Sequence, residues 1–189
     1  MRRSAAQTRE HVLEVAHELF YWQGIRATGV DQVAAEAGVA STTLYRLFDS
    51  KDELVAAYVS RAFEQTREWV GEAVRGAGPD PRDQILAIFD AQARKIQPEL
   101  CRGCVFLMTI AEFPDRTLPG HRFSVEAKVW LRALFRDLTA QLGLPDPRAV
   151  ADQLILVVEG VHASAQSLGP DGPPVHARAL AELILDPRP

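Results

Sequence analysis

Cysteine is scarce in this chain: Cys101 and Cys104 are its only two. That is too few for a disulfide-stapled scaffold and fits a reducing compartment. Long apolar runs are missing as well. The most hydrophobic stretches, 105–110 and 154–158, fall far short of the roughly 20 residues that cross a bilayer, so no membrane association is expected. The N-terminus carries Arg2 and Arg3 but runs straight into Glu10, Glu14 and Glu18. Without the apolar stretch of a secretory signal, a cytoplasmic protein is expected. Excess positive charge is absent too: the formal net charge is -4, which excludes a polycation that coats nucleic acid or anionic lipid nonspecifically. Strand signals, meaning period-two alternation and Asn-Gly or Asp-Gly hairpin turns, are nearly lacking. No nucleophile elbow, phosphate loop or zinc-binding helix motif is present, so neither catalysis, a cofactor nor a metal is expected.

What remains is helical periodicity, and the expected fold class is all-α. Val12, Val15, Ala16, Leu19 and Phe20 recur at three- and four-residue steps, with Arg9, Glu10, Glu14 and Glu18 opposite them, predicting an amphipathic helix that stops at Gly24. Thr28 offers an N-cap to a short second helix with Val30, Val33, Ala34 and Ala37 on its apolar face, closed by Gly38. After Val39 and Ala40, any of Ser41, Thr42 and Thr43 can cap a third short helix bearing Leu44, Tyr45, Leu47 and Phe48. Ser50 caps a long fourth helix whose first turn carries Asp52 and Glu53, where the helix dipole favours acids. Residues 76–81 break the chain, and a helix with Ile85, Leu86, Ile88 and Phe89 follows. Further helices are predicted near 103–112, 120–142, 147–168 and 174–185. The expected division is a three-helix head over residues 1–50 and a larger helical domain over 51–189.

Two short helices joined by a tight glycine turn make a helix-turn-helix, whose second helix enters the major groove of duplex DNA. Ser41, Thr42 and Thr43 lie at the end of that helix that points into the groove and can bond base edges or phosphates. The Arg46 guanidinium matches the paired acceptors of guanine or a phosphate, and the Tyr45 hydroxyl suits the backbone. Arg2 and Arg3 supply a basic arm, and Lys51 stands where it can meet a phosphate. Thr28 joins this set as a hydroxyl at the start of the preceding helix.

The run over residues 24–54 resembles the DNA-binding signature of the tetracycline-repressor (TetR) family, and the resemblance covers roughly residues 7–60. It implies an operator-binding transcriptional regulator, with Thr43 and Tyr45 matching family DNA contacts and Lys51 a phosphate-contacting lysine. The chain departs from the pattern at Leu47, often a histidine in the family, and at Gly29, often Ser or Thr. The aromatic-glycine pair before the second helix is loosened to Trp22-Gln23-Gly24. The resemblance further implies a small-molecule effector bound among the middle helices and a homodimer formed by the last two long ones.

For the dimer, Leu154, Val157, Val161 and Ala165 mark a stripe on the 147–168 helix, and Leu180 and Ile184 continue it on the last helix. For the effector cavity the candidates are Phe89, Phe106, Met108, Phe123, Trp130 and His162, since small-molecule pockets are mostly apolar with few polar groups. A mostly apolar effector and release of a repressor from its operator are the expected mode. Cys101 and Cys104 form C-x-x-C, a spacing of redox dithiols and of half zinc sites, but no second cysteine pair accompanies them. A thiol redox sensor and an all-helical protein-interaction module stand as the alternatives.

Overall fold

In a computed structural model, residues 4–97 and 101–186 are described. Arg2 and Arg3, expected as a DNA-contacting arm, lie outside them. The described residues form nine α-helices and no strand: α1 (Ala5–Gln23), α2 (Val30–Glu36), α3 (Ser41–Leu47), α4 (Lys51–Gly76), α5 (Pro81–Lys95), α6 (Val105–Glu112), α7 (Pro119–Ala140), α8 (Pro147–Leu168) and α9 (Ala177–Leu185). A 3-10 turn, Pro173–His176, precedes α9, so the last helix starts later than the expected 174. No helix among the described residues is long and apolar enough to cross a membrane.

Local chemistry sets many of the boundaries. Ser4 and Gln7 form a reciprocal capping box at α1. α5 and α8 both open on Pro-Asp-Pro: Asp80 and Asp146 accept backbone N–H groups with their carboxylates, and the following proline fills the first helical position, where no N–H is needed. Ser50 caps α4 as expected, its hydroxyl accepting from the Glu53 amide at 3.1 Å while Glu53 accepts from the Asp49 amide at 2.7 Å.

The cap at α2 differs from expectation. Its N-cap is Gly29, which has no side chain to offer. Thr28 is fully buried and donates its hydroxyl to the Gly24 carbonyl at 2.9 Å, satisfying the end of α1 instead. Likewise α3 starts from Ala40 with no side-chain cap, and Ser41 donates to Asp31 of α2 at 2.8 Å. The turn between α2 and α3 is a Schellman closure: Val39 N–H reaches the Ala34 carbonyl at 3.0 Å and Gly38 N–H the Ala35 carbonyl at 3.1 Å. It requires Gly38 at φ +64°.

The chain forms two compact units, Met1–Phe63 with Val105–Val125, and Glu64–Cys104 with Glu126–Pro189. They are drawn differently from the break expected after residue 50. The first unit holds α1 to α3, the start of α4, and also α6 with the start of α7. Its interior includes Val12, Ala16, Phe20, Ile25, Val33, Leu44, Phe48, Leu54 and Val59, each at most 2% exposed. Two contacts bring α6 and α7 in. The Glu112 carboxylate at the end of α6 accepts from the amides of Ile25 at 3.1 Å and Arg26 at 2.7 Å, and Arg26 Nε donates back to the Glu112 carbonyl at 2.6 Å. Gly120, where a Cβ would stand 3.0 Å from Val55 Cγ1, lets the first turn of α7 approach α4.

The second unit packs the later part of α4, α5, most of α7, α8 and α9. Ile85, Ile88 and Phe89 meet Phe135, Leu138, Ala151, Leu154, Ala181 and Leu185, with Phe89 and Phe135 stacked at 6.0 Å. Bidentate Arg82–Asp186 and Arg132–Asp152 pairs bind it at the surface.

Since Gly38 alone sets the α2–α3 turn, Gly38→Ala is expected to destabilise the protein by about 1 to 2 kcal/mol, the cost of a left-handed residue that carries a Cβ. A denaturant titration with an unchanged midpoint would contradict this.

Candidate nucleic-acid interface and sensing core

α3 divides its side chains cleanly. Leu44 and the following Phe48 are buried, while Thr42, Tyr45 and Arg46 share the exposed side, Tyr45 at 50% exposure. Ser41 and Thr43 are half-buried, and the Ser41 hydroxyl is already engaged by Asp31. Lys51, first residue of α4, is also half-buried. Partial burial holds its ammonium below the usual lysine range, opposed by Glu112 and Asp52 and reinforced by Arg26. Arg9 stacks its guanidinium 4.8 Å above Phe48, placing another cation behind α3. Thr28 must be removed from the expected set, because a fully buried hydroxyl committed to the Gly24 carbonyl cannot reach DNA. The exposed face thus combines hydroxyl, phenol and guanidinium groups on a helix held by two buried apolar anchors, which suits groove reading.

A family model described as bacterial regulatory proteins, tetR family, matches residues 12–58. A solved TetR-family transcriptional regulator of Streptomyces coelicolor is 32% identical, with a TM-score of 0.90 over 96% of this chain and 95% of that one. A putative TetR transcriptional regulator of Streptomyces avermitilis is also 32% identical, with a TM-score of 0.80 over 95% and 98%. The HTH-type transcriptional regulator YjdC of Escherichia coli is 26% identical, covering 80% of each chain. This chain belongs to the TetR family. It is therefore a helix-turn-helix DNA-binding transcriptional regulator and not an enzyme.

The residues expected to line the TetR-type effector cavity fall in both units. Phe106, Met108 and Phe123 belong to the first, Phe89, Trp130 and His162 to the second. Phe106 meets Phe63 edge-on at 6.4 Å, and Phe89 is committed to its stack on Phe135. An open groove of about 620 Å³ in the second unit is lined by none of the six, running instead between Trp69, Glu72 and Ala73 of α4 and Asp90, Arg94 and Lys95 of α5.

His162 stands among polar groups. Its Nδ1 lies 3.1 Å from both the Val158 carbonyl and Gln92 Nε2, and Gln92 Nε2 donates to the same carbonyl at 3.1 Å. Burial holds the imidazole below its usual pKa, with Lys128 adding to the lowering and the Val158 bond and Glu159 opposing. Gln92 is 3% exposed, and its Oε1 has no hydrogen-bond partner among the described residues. Nearby in sequence on α8, Glu159 pairs with Lys128 of α7 at 2.7 Å. Burial alone would lower the Lys128 pKa, but the Cys104 sulfur and the Glu159 carboxylate outweigh it and raise it. Sequence reading missed Gln92 and Lys128. The available signal was register: Gln92 continues the Ile85, Ile88, Phe89 stripe of α5, and Lys128 that of Ala127 and Leu131 on α7, so both had to point inward.

The expected dimer stripe needs correction. Leu154, Val161 and Ala165 are buried within the chain itself, and Val157 and Ile184 pack against the same core. Only Leu180 of the six is exposed. The solvent side of α8 and α9 instead carries Leu156 at 71% exposure, Leu168 at 68%, Leu183 at 54% and Leu180 at 47%.

Tyr45→Ala is expected to weaken binding to the cognate duplex by about 1 to 3 kcal/mol with helical content intact. Lys51→Ala should lower affinity for all sequences and reduce the salt slope by about one charge. Fluorescence anisotropy across a salt series checks both, and unchanged binding of the two variants would take this face out of the reading role.

Proposed function

We propose that this TetR-family protein is a cytoplasmic homodimeric repressor, released from a two-half-site operator by a small effector that binds in the α5–α7–α8 core. Thr42, Thr43, Tyr45, Arg46 and Lys51 are the DNA-contacting groups in this reading, with Arg2 and Arg3 as an arm.

The observation that carries the effector reading is Gln92. A buried acceptor without a partner costs about 1 to 3 kcal/mol, and a core that retains one offers a hydrogen bond to an incoming molecule. The interior of this unit, Phe89 and Trp130 included, is built mostly of apolar side chains. The effector class that fits is a mostly apolar molecule with one donor group for Gln92 Oε1, lying beside His162. Release follows from geometry: paired recognition helices must meet grooves about 34 Å apart, and a tenfold loss of operator affinity needs about 1.4 kcal/mol of preferential effector binding to the released state.

A thermal-shift screen of small molecules tests this directly. Compounds that raise the melting midpoint are expected to weaken binding to a duplex selected from random DNA. Gln92→Leu should lose that thermal response while keeping DNA affinity. Stabilising compounds that leave DNA binding unchanged would defeat the effector mechanism and leave the regulator assignment intact.

For the homodimer, the support is the exposed apolar side of α8, where Leu156, Gly160 and Ala163 recur at helical spacing, beside the exposed leucines of α9. Light scattering at micromolar concentration should give twice the 20.9 kDa chain mass. Leu156→Arg should raise the dimer dissociation constant at least about tenfold by burying an unpaired charge, with helical content retained. A monomeric wild type would exclude this interface.

A further inference from the structure

Cys104 sits 7% exposed in the second unit, and its sulfur accepts a hydrogen bond from Lys128 Nζ at 3.1 Å. The ammonium is itself held by Glu159 at 2.7 Å. A merely structural core thiol has apolar neighbours and is inert. A cation aimed at the sulfur has a different consequence, because it stands ready to donate a proton to an oxygen departing beside that sulfur. α6 begins at the next residue, and a helix N-terminus adds partial positive charge. Cys101, three residues earlier, is half-buried, and both thiols are free. It packs against Ile96, Val161 and Ala165, with its sulfur 4.0 Å from the Gly103 carbonyl. Attacking sulfur and a second thiol at dithiol spacing therefore share the turn before α6, and the cation reaches the first of them from α7.

We propose that Cys104 and Cys101 form a dithiol oxidised by small hydroperoxides, and that its disulfide weakens DNA binding. The Cys104 sulfur attacks the peroxide oxygen, forming an S–O bond as the O–O bond breaks. The departing oxygen takes a proton through Lys128, which recovers the one given up by the thiol, and leaves as an alcohol, or as water from hydrogen peroxide. The Cys101 sulfur then attacks the Cys104 sulfur, the S–S bond forms, and the hydroxyl leaves with the Cys101 proton as water. Two electrons pass from the dithiol to the peroxide.

The route to the reading head is covalent and short. Disulfide closure requires the two Cα atoms within about 4.4 to 6.8 Å, which fixes the turn directly preceding α6. The far end of α6 carries Glu112, whose carboxylate binds the Ile25 and Arg26 amides between α1 and α2. A shift of α6 draws that carboxylate off the turn that leads into the reading helices. The regulatory part rests on the DNA-binding reading, whereas the thiol chemistry stands without it.

The test exposes the full-length protein to hydrogen peroxide, blocks remaining thiols with iodoacetamide and weighs the chain. The expected product lacks two hydrogen atoms and carries no alkyl group, and dithiothreitol reverses it. Cys101→Ser should stop at a Cys104 sulfenic acid that dimedone traps. Lys128→Met should slow oxidation about a hundredfold, the lower range for a positioned proton donor, while Lys128→Arg keeps most of the rate. Binding to a duplex selected under reducing conditions should fall at least tenfold on oxidation of the wild type and not of Cys104→Ser. Full alkylation of both cysteines after peroxide overturns the dithiol, and so does equal oxidation of Lys128→Met and wild type. A disulfide that forms without changing DNA affinity overturns the regulatory link. Failure of the reduced protein to bind any selected duplex counts against the DNA reading alone, since the mass measurement still decides the chemistry.

Discussion

The Glu112 carboxylate is the acceptor on which the first unit depends. The segment between α1 and α2 leaves the amides of Ile25 and Arg26 outside any helix, and a backbone donor without an acceptor is expensive once water is excluded. Ile25 is 2% exposed, so its amide requires a protein partner. Glu112 supplies acceptors to both amides, and Arg26 returns a bond to the Glu112 carbonyl. One residue at the end of α6 thus fixes the entrance to α2, and through the Schellman turn at Gly38 the direction of α3. An eight-residue helix placed far along the chain becomes part of the DNA-reading unit.

A second theme is how few polar groups the other unit admits and how connected they are. Its interior is built from aliphatic and aromatic side chains of α4, α5, α7, α8 and α9, yet Gln92, His162, Lys128 and Glu159 are drawn into it. Each is tied to a neighbour: Gln92 and His162 through the Val158 carbonyl, Lys128 through Glu159 and the Cys104 sulfur. Buried polar groups of this kind are costly unless paired. Their presence sets this interior apart from a purely apolar one.

Much of the helical architecture was legible because punctuation is local. Gly24, Gly38, Ser50 and the two Pro-Asp-Pro starts act on their own few residues, and helix limits followed them closely. Thr28 shows the limit of that logic: one residue separated a plausible cap from a buried hydroxyl, and Gly29 took the cap position. The exposed character of Tyr45 and Arg46 was readable from the spacing of Leu44 and Phe48. Periodicity could also say that Leu154, Val161 and Ala165 are covered, but not by what, and here their cover is the chain's own core. The six cavity candidates spread over two units because hydrophobicity marks burial without marking location. The Glu112 bonds to residues 86 and 87 positions away leave no trace in any local pattern.

The brevity of α3 has a consequence of its own. A seven-residue helix is far too short to persist alone in water, so the arrangement of Thr42, Tyr45 and Arg46 exists only while Leu44 and Phe48 remain seated. Recognition and folding of the head are then one equilibrium viewed from two sides. A genetic screen for loss of regulation would return interior substitutions at Val33, Leu44 and Phe48 beside those at the exposed face, and a map of such hits would outline a core as readily as a footprint.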